Sequence, residues 1–256
     1  MAKINYLTRQ EQWIWEHIKE MEYADNQLIK DLFPELNNNS RNKILHNLNK
    51  KGFIQRARKD LYYNPKKING FHELALKIHE GYIGLSSALR EYNLIEYEDF
   101  TIFVITKNFR KKIQLKRTQY EIEYIPFKKL FTGYKKQNNI YISDIEKTIF
   151  DCFLKSNKMG YPNLIKAIID ADIDWNKFIS YCSLKKNKAI HQKMGYVLDL
   201  INSRHKKIIP KFVFDYFQKD IKFPIKLINS RGKTIFNQKW KIEDNINMRA
   251  VVENGN

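Results

Sequence analysis

The chain has 256 residues, room for one large domain or two modest ones. A hydrophobic fraction of 43% with 14% aromatic residues builds a core, and excludes an intrinsically disordered chain despite 29% charged residues. The net charge of +18 points to a polyanionic partner, with nucleic acid ahead of an anionic membrane surface. A general lysine bias of the proteome is the bland alternative, so the placement of the charge matters more than its sum.

Residues 1–68 read as three short helices and a hairpin. Thr8 precedes RQEQWIWEHIKEM with Glu11 three positions on, the spacing of a capping box. Trp13 or Ile14, with Ile18 and Met21, supplies an apolar stripe. In ADNQLIKDLFPEL, Leu28, Ile29, Leu32 and Phe33 face inward and Pro34 stops the helix. In NNSRNKILHNLNKKG, Ser40 is the expected N-cap, Ile44, Leu45 and Leu48 the buried stripe, and Gly52 the C-cap. FIQRARKDLYYN then gives two strand-like runs around Arg58, Lys59 and Asp60. Helices this short are marginal alone and must share one core. The order is that of a winged helix-turn-helix.

On a helical wheel the third helix turns Lys43, Asn47 and Lys50 outward, with His46 on the flank and Ser40 at its start. These side-chain types suit a DNA groove: lysine neutralises phosphate or reaches guanine, asparagine pairs with adenine, and serine donates to phosphate or a base edge. The hairpin adds Arg56, Arg58 and Lys59 for the backbone or minor groove. Residues 41–67 carry Arg41, Lys43, Lys50, Lys51, Arg56, Arg58, Lys59, Lys66 and Lys67 against the single acid Asp60, while the acids of this region fall in the first two helices. Proteome bias does not segregate charge in this way. The other reading of the same face is a solvated surface on a protein-docking module.

NPKKING, residues 64–70, reads as a boundary. Beyond it GLSSALREYNLI is a short helix with Ser86 and Ser87 near its start, and DFTIFVITKNF is a central strand. KKIQLKRTQYEIEYIPF is a hairpin around Arg117, Thr118 and Gln119, and NNIYIS is a further strand. From residue 143 the pattern is helical: SDIEKTIFDCFLKS, NLIKAIIDAD, WNKFISYCSL, NKAIHQKMGYVLDLI and IPKFVFDYFQK. Short strands return in FPIKLINSRGKTIFNQKWKIEDN, and VVENGN is expected to fray. The fold class is α+β, a winged helix-turn-helix over 1–68 and a larger mixed domain over 69–256.

YISDIEKTIFDC brings Asp144, Glu146, Lys147 and Asp151 together. A metal-dependent nuclease needs paired carboxylates on adjoining strands, whereas Ser143 and Glu146 have capping-box spacing at the start of a helix, with Asp144 favourable in its first turn. The stretch reads as a helix start, with Ile145, Ile149, Cys152 and Phe153 on one face. No phosphate loop, nucleophile elbow or zinc-protease motif occurs. No catalytic residue, metal or cofactor is expected. His72 and His79 read as partly exposed, and His191 and His205 as solvated. Cys152 and Cys182 read as buried thiols, without a disulfide framework, in a reducing cytoplasmic setting. Lys185, Lys186, Lys188 and Lys193 crowd one helix start, against the helix dipole, and form a possible second basic surface. MAKINYLTRQEQWIW holds no long apolar run, and no signal peptide or membrane span is expected.

GFIQRARKDLYYNP, GYIGLSSALREYNLI, ISDIEKTIFDC, NKAIHQKMGYVLDLI and WKIEDN, in this order over about residues 8–245, resemble the AbiEi-type antitoxins of abortive-infection toxin–antitoxin pairs. The resemblance implies an N-terminal winged helix that binds inverted repeats in its own promoter as an autorepressor. It implies a C-terminal antitoxin domain that counteracts a nucleotidyltransferase-like toxin, with no enzymatic activity of its own. DNA contacts carry over only to Ser40, Lys43, Asn47, Lys50, Arg56, Arg58 and Lys59. The net charge of +5 over 1–68 leaves +13 for 69–256, so the larger region also suits a nucleic-acid partner. The rival readings are a winged-helix regulator whose larger domain senses a ligand, and a metal-dependent nuclease.

Overall fold

The computed structural model describes residues 6–96, 100–205, 207–219, 221–230 and 233–254. The fold is mixed α+β. It begins with α1 (Arg9–Ile18), β1 (Tyr23–Asp25), α2 (Asn26–Leu32), α3 (Asn38–Lys51), β2 (Gln55–Arg58) and β3 (Leu61–Tyr63). Thr8 caps α1 as its spacing predicts: its hydroxyl accepts from the Glu11 N–H, and the Glu11 carboxylate accepts from the Thr8 N–H at 2.8 Å. Both orphan donors are thereby satisfied at once. Asp25 caps α2, and Gly52 ends α3 in the left-handed region at φ 84°, where a Cβ would cost energy. The helices bury Ile14, Ile29, Phe33, Leu45 and Leu48 in one core. Trp13 is 38% exposed, so Ile14 carries the α1 stripe. Leu28 and Leu32 are partly buried.

Two details differ from the sequence reading. The N-cap of α3 is Asn37, whose side chain accepts from the Ser40 N–H at 2.9 Å, so Ser40 stands inside the first turn. Strand β1, not expected, pairs antiparallel with β3, giving the sheet order β1-β3-β2. At three residues it is too short to show an alternating pattern.

The chain continues through α4 (Phe71–Ile78), β4 (Tyr82–Ile83), α5 (Leu85–Glu91), β5 (Thr101–Thr106), β6 (Ile113–Gln114), β7 (Glu121–Pro126), a single 3-10 turn (Lys128–Leu130), β8 (Tyr134–Gln137) and β9 (Ile140–Ser143). Contacts divide it into two compact units. One holds Met1–Gly81, Phe100–Val104 and Arg110–Tyr124; the other holds Tyr82–Asp99, Ile105–Phe109 and Ile125–Asn256. In the first, β6 and β7 form the expected antiparallel hairpin. In the second, β4 pairs in parallel with β9, and β9 antiparallel with β8.

The second unit then builds a helical layer from α6 (Ile145–Leu154), α7 (Ser156–Met159), α8 (Tyr161–Asp170), α9 (Trp175–Ser183), α10 (Lys188–Arg204) and α11 (Lys211–Gln218). A small sheet follows, of β10 (Ile225–Lys226), β11 (Ile235–Asn237) and β12 (Ile242–Asp244), with β12 in the centre. The C-terminal stretch, expected to fray, forms α12 (Met248–Glu253); Val252 is buried and its carbonyl lies 2.7 Å from His205 Nε2. The last two residues of that stretch, 255 and 256, lie outside the described residues.

Trp240 anchors the small sheet. Its indole is fully buried, donates to Asp199 Oδ2 at 2.8 Å and packs against Gly195 of α10. A Cβ at Gly195 would fall 2.1 Å from the ring. Gly195→Ala should therefore lower stability by about 1–3 kcal/mol through overpacking, more than the gain in helix propensity returns. Chemical denaturation of the full chain measures this; an unchanged or raised midpoint contradicts the packing.

Candidate nucleic-acid interface

Helix α3 sorts its side chains by angle. Ile44, Leu45 and Leu48 point into the core. Arg41 joins them: it is 7% exposed and donates to the Phe33 carbonyl at 3.1 Å and to Asn38 Oδ1. It braces the end of α2 against α3 and is not part of a basic surface. The opposite face exposes Asn39, Lys43, His46 and Lys50. At 100° per residue these four fall within about 60° of one another, and Asn42 is exposed beside them. Asn39 is missed from the sequence because the helix start is expected at Ser40; Asn42, inside the helix on either placement, is not singled out there.

Ser40 and Asn47 lie on the flank facing α1, where with Lys43 they line a shallow cleft beside Thr8 and Glu11. Glu11 is only 2% exposed. Burial alone would raise its pKa; hydrogen bonds from Lys51, the Thr8 backbone and Asn47 outweigh that and hold it below the ordinary carboxylate value. Lys51 Nζ sits 2.5 Å from this carboxylate. Lys51 is thus spent on α1, and the Asn47 amide is turned inward more than the wheel suggests.

The β2–β3 hairpin turns through Lys59 and Asp60, with Arg58 opposite Leu61 and a bulge between Arg56 and Arg58. Asp60 takes a positive φ of 63°, a conformation aspartate tolerates better than most residues. Its carbonyl accepts from the Asn26 N–H at 3.0 Å, pinning the tip to the start of α2. The Arg56 N–H donates to Asn49 Oδ1 at 3.1 Å, tying the hairpin to α3. Arg56, Arg58 and Lys59 are all exposed. Arg58 Nε donates to the Lys77 carbonyl at 2.9 Å, which holds its stem in place and leaves the rest of the guanidinium for a phosphate. Arg58→Ala with Lys59→Ala should weaken binding to all duplex DNA alike and flatten the salt slope by up to about two units. Titrations at several salt concentrations read this, and a change confined to one sequence would contradict it.

The second basic surface divides. Lys185, Lys186 and Lys188 are exposed around the α9–α10 connection. Lys193 is half-buried on α10, about 140° round the helix from Lys188, and desolvation lowers its pKa. It does not share their face. His191 and His205 are partly buried and engaged rather than simply solvated: His191 Nε2 lies 3.1 Å from the Cys182 carbonyl with the Tyr216 and Phe217 rings beside it, and His205 meets Val252. Cys152 and Cys182 are free buried thiols.

The acidic stretch is a helix start, but its cap lies one residue later than its spacing suggests. Asp144 is the N-cap and accepts from the Lys147 N–H at 2.8 Å. The Ser143 hydroxyl is instead taken by Thr148 and the Ile83 carbonyl. Tyr181 donates to Asp144 Oδ2 at 2.6 Å, Lys177 bridges Asp144 and Glu146 at 3.1 and 3.0 Å, and the Asp174 N–H donates to Glu146. Both carboxylates are committed to protein donors. Asp144→Ala should cost at least the about 0.5–2 kcal/mol of a lost cap, since the Tyr181 and Lys177 contacts go with it, read by thermal or chemical denaturation; an unchanged midpoint would contradict the assignment.

Deeper in α6, Lys147 and Asp151 are fully buried and paired, with the Tyr82 hydroxyl 3.1 Å from Lys147 Nζ and the Phe127 ring 4.9 Å away. Burial pushes Asp151 up to about 7 against the opposing pull of Lys147, and the same desolvation lowers Lys147. Among the described residues no group of three or more His, Cys, Asp or Glu side chains is placed to hold a metal ion, and no helix is long and apolar enough to cross a membrane. No protein-family model matches the chain, and comparison with curated proteins gives no match.

Proposed function

We propose that the chain is a cytoplasmic, non-catalytic DNA-binding regulator whose N-terminal segment works as a winged helix-turn-helix, and that it is the antitoxin of a toxin–antitoxin pair. The observation that carries the DNA reading is the outward face of α3, where Asn39, Lys43, His46 and Lys50 converge with no acidic side chain among them. The element order supports it: helix, strand, helix, helix, strand, strand, with the first strand laid on the last. In this reading α3 enters the major groove, Lys43 and Asn39 meet base edges, and Arg56, Arg58 and Lys59 on the hairpin hold the backbone.

The antitoxin part rests on the family resemblance alone. It holds that the protein represses its own promoter at inverted repeats and counteracts a nucleotidyltransferase-like toxin through its larger region. Two experiments test it. Footprinting upstream of the protein's own gene should protect two inverted half-sites whose centres lie about one helical turn or a multiple apart; protection of a single unpaired site would remove the inverted-repeat operator. Expression of the neighbouring gene should arrest growth, with rescue by the full chain; growth unaffected by that gene, or arrest without rescue, would remove the antitoxin role and leave the DNA role standing.

A further inference from the structure

A cleft of about 560 Å³ opens on the second unit, within the size range of sites that take a small ligand or a few side chains. Its floor and walls are aliphatic, from Pro126, Leu130, Leu154, Leu184 and Ile190. Leu184 is 52% exposed. It ends α9 at the point where the chain turns toward α10, so a large apolar side chain is held out at the mouth. Lys128, Lys129, Lys155 and Lys185 also line the cleft, and no acidic residue does. Lys186 follows on the exposed connection.

We propose that this cleft is a docking site for an acidic amphipathic segment of a partner protein, which seats an apolar side chain against Leu184, Leu154 and Ile190 while its carboxylates meet the lysines. Charge complementarity and the aliphatic floor together select this occupant. Lysine is a compact point charge that satisfies a carboxylate without fixing its geometry, and an apolar groove with a charged rim is how an amphipathic segment is recognised. Nucleic acid fits less well. A single strand needs aromatic faces to stack on, and the one aromatic in the lining, Phe127, is only 7% exposed, with Lys155 Nζ 5.9 Å from its ring. The lysines at 185 and 186 thereby acquire a partner distinct from DNA, so the proposal stands or falls apart from the reading of α3.

The test uses the full chain and a fluorescent acidic peptide of about 15 residues with leucines at helical spacing. Its controls are the same peptide with every leucine changed to serine, and a labelled single-stranded oligonucleotide of equal charge. The leucine peptide should bind saturably, and Leu184→Glu should weaken it by about tenfold or more. Lys128→Glu with Lys129→Glu should do the same. Both variants lie at exposed positions and should keep the wild-type melting temperature and duplex-DNA binding. The serine peptide should bind far more weakly. Absence of saturable binding below about 1 mM, equal binding by Leu184→Glu, or an oligonucleotide that binds more tightly than the peptide and is lost with the same lysines would each overturn the proposal.

Discussion

Lys147→Met should destabilise the protein by about 3–5 kcal/mol, because it leaves the fully buried Asp151 carboxylate without its cation. Methionine is unbranched and only one heavy atom shorter than lysine, so the packing loss is small and the deficit is mainly electrostatic. The double variant Lys147→Met with Asp151→Leu should recover most of the loss, since replacing both partners removes the desolvation cost along with the attraction. The pH dependence separates this account from simple repacking. Burial raises Asp151 to about 7 in the folded protein, above the unfolded value of about 3.9. A raised carboxyl stabilises the fold fully below its unfolded pKa and loses that contribution as pH rises through the folded one. In the wild type the loss runs from about pH 4 to 7. Without Lys147 to oppose desolvation, the folded pKa rises further and the loss continues above neutrality. The stability gap between wild type and Lys147→Met should therefore widen from pH 7 to about 9. A gap independent of pH, or a double variant no more stable than the single, would show that the pair is not the source.

Asn39→Ala combined with Lys43→Ala should abolish most sequence discrimination while leaving weak, salt-labile binding to any duplex. Each well-formed base contact contributes about 1–3 kcal/mol of discrimination, so the pair should cost roughly 30- to 2×10⁴-fold at the operator. Neither side chain packs inside the first unit: both are exposed, and among the described residues Lys43 makes no ion pair. Folding should be intact, which melting of the free protein checks. Arg41→Ala offers the contrast. It should lower stability through the lost bonds to Phe33 and Asn38 and reduce affinity only as far as α3 is loosened. Unchanged discrimination in the Asn39/Lys43 variant would place the recognition surface elsewhere.

The features legible from sequence are those decided within one or two turns. Thr8 and Glu11 needed only their spacing, and Gly52 only its position after the last apolar residue. Ser143 misled for a local reason: Ser143 and Asp144 are adjacent oxygen acceptors, and each stands three before a backbone N–H. The sheet decided between them by engaging the Ser143 hydroxyl with Ile83 and Thr148. The buried pair was hidden because Lys147 and Asp151, four apart, normally decorate a solvent-facing helix side. Tyr82 and Phe127, brought in by the fold, join Phe150 of the same helix in closing that side off. In the candidate interface, Lys43, His46, Lys50 and the hairpin cations were visible from helical spacing and charge. Asn39 was not, since its exposure depends on Asn37 being the cap. The commitments of Arg41 and Lys51 were equally invisible, because a basic residue in a basic run carries no mark of a partner eight or forty positions away.

Sequence reading by α3 is what would set this chain apart from a merely basic surface. Its most direct test is a titration of the full chain on the DNA upstream of its own gene beside a shuffled duplex of equal length, at about 150 mM salt. A preference of about 10³ or more for the native sequence is expected, lost in Asn39→Ala with Lys43→Ala. Equal, salt-labile binding to both duplexes would contradict it and reduce the basic face of α3 to a solvated surface.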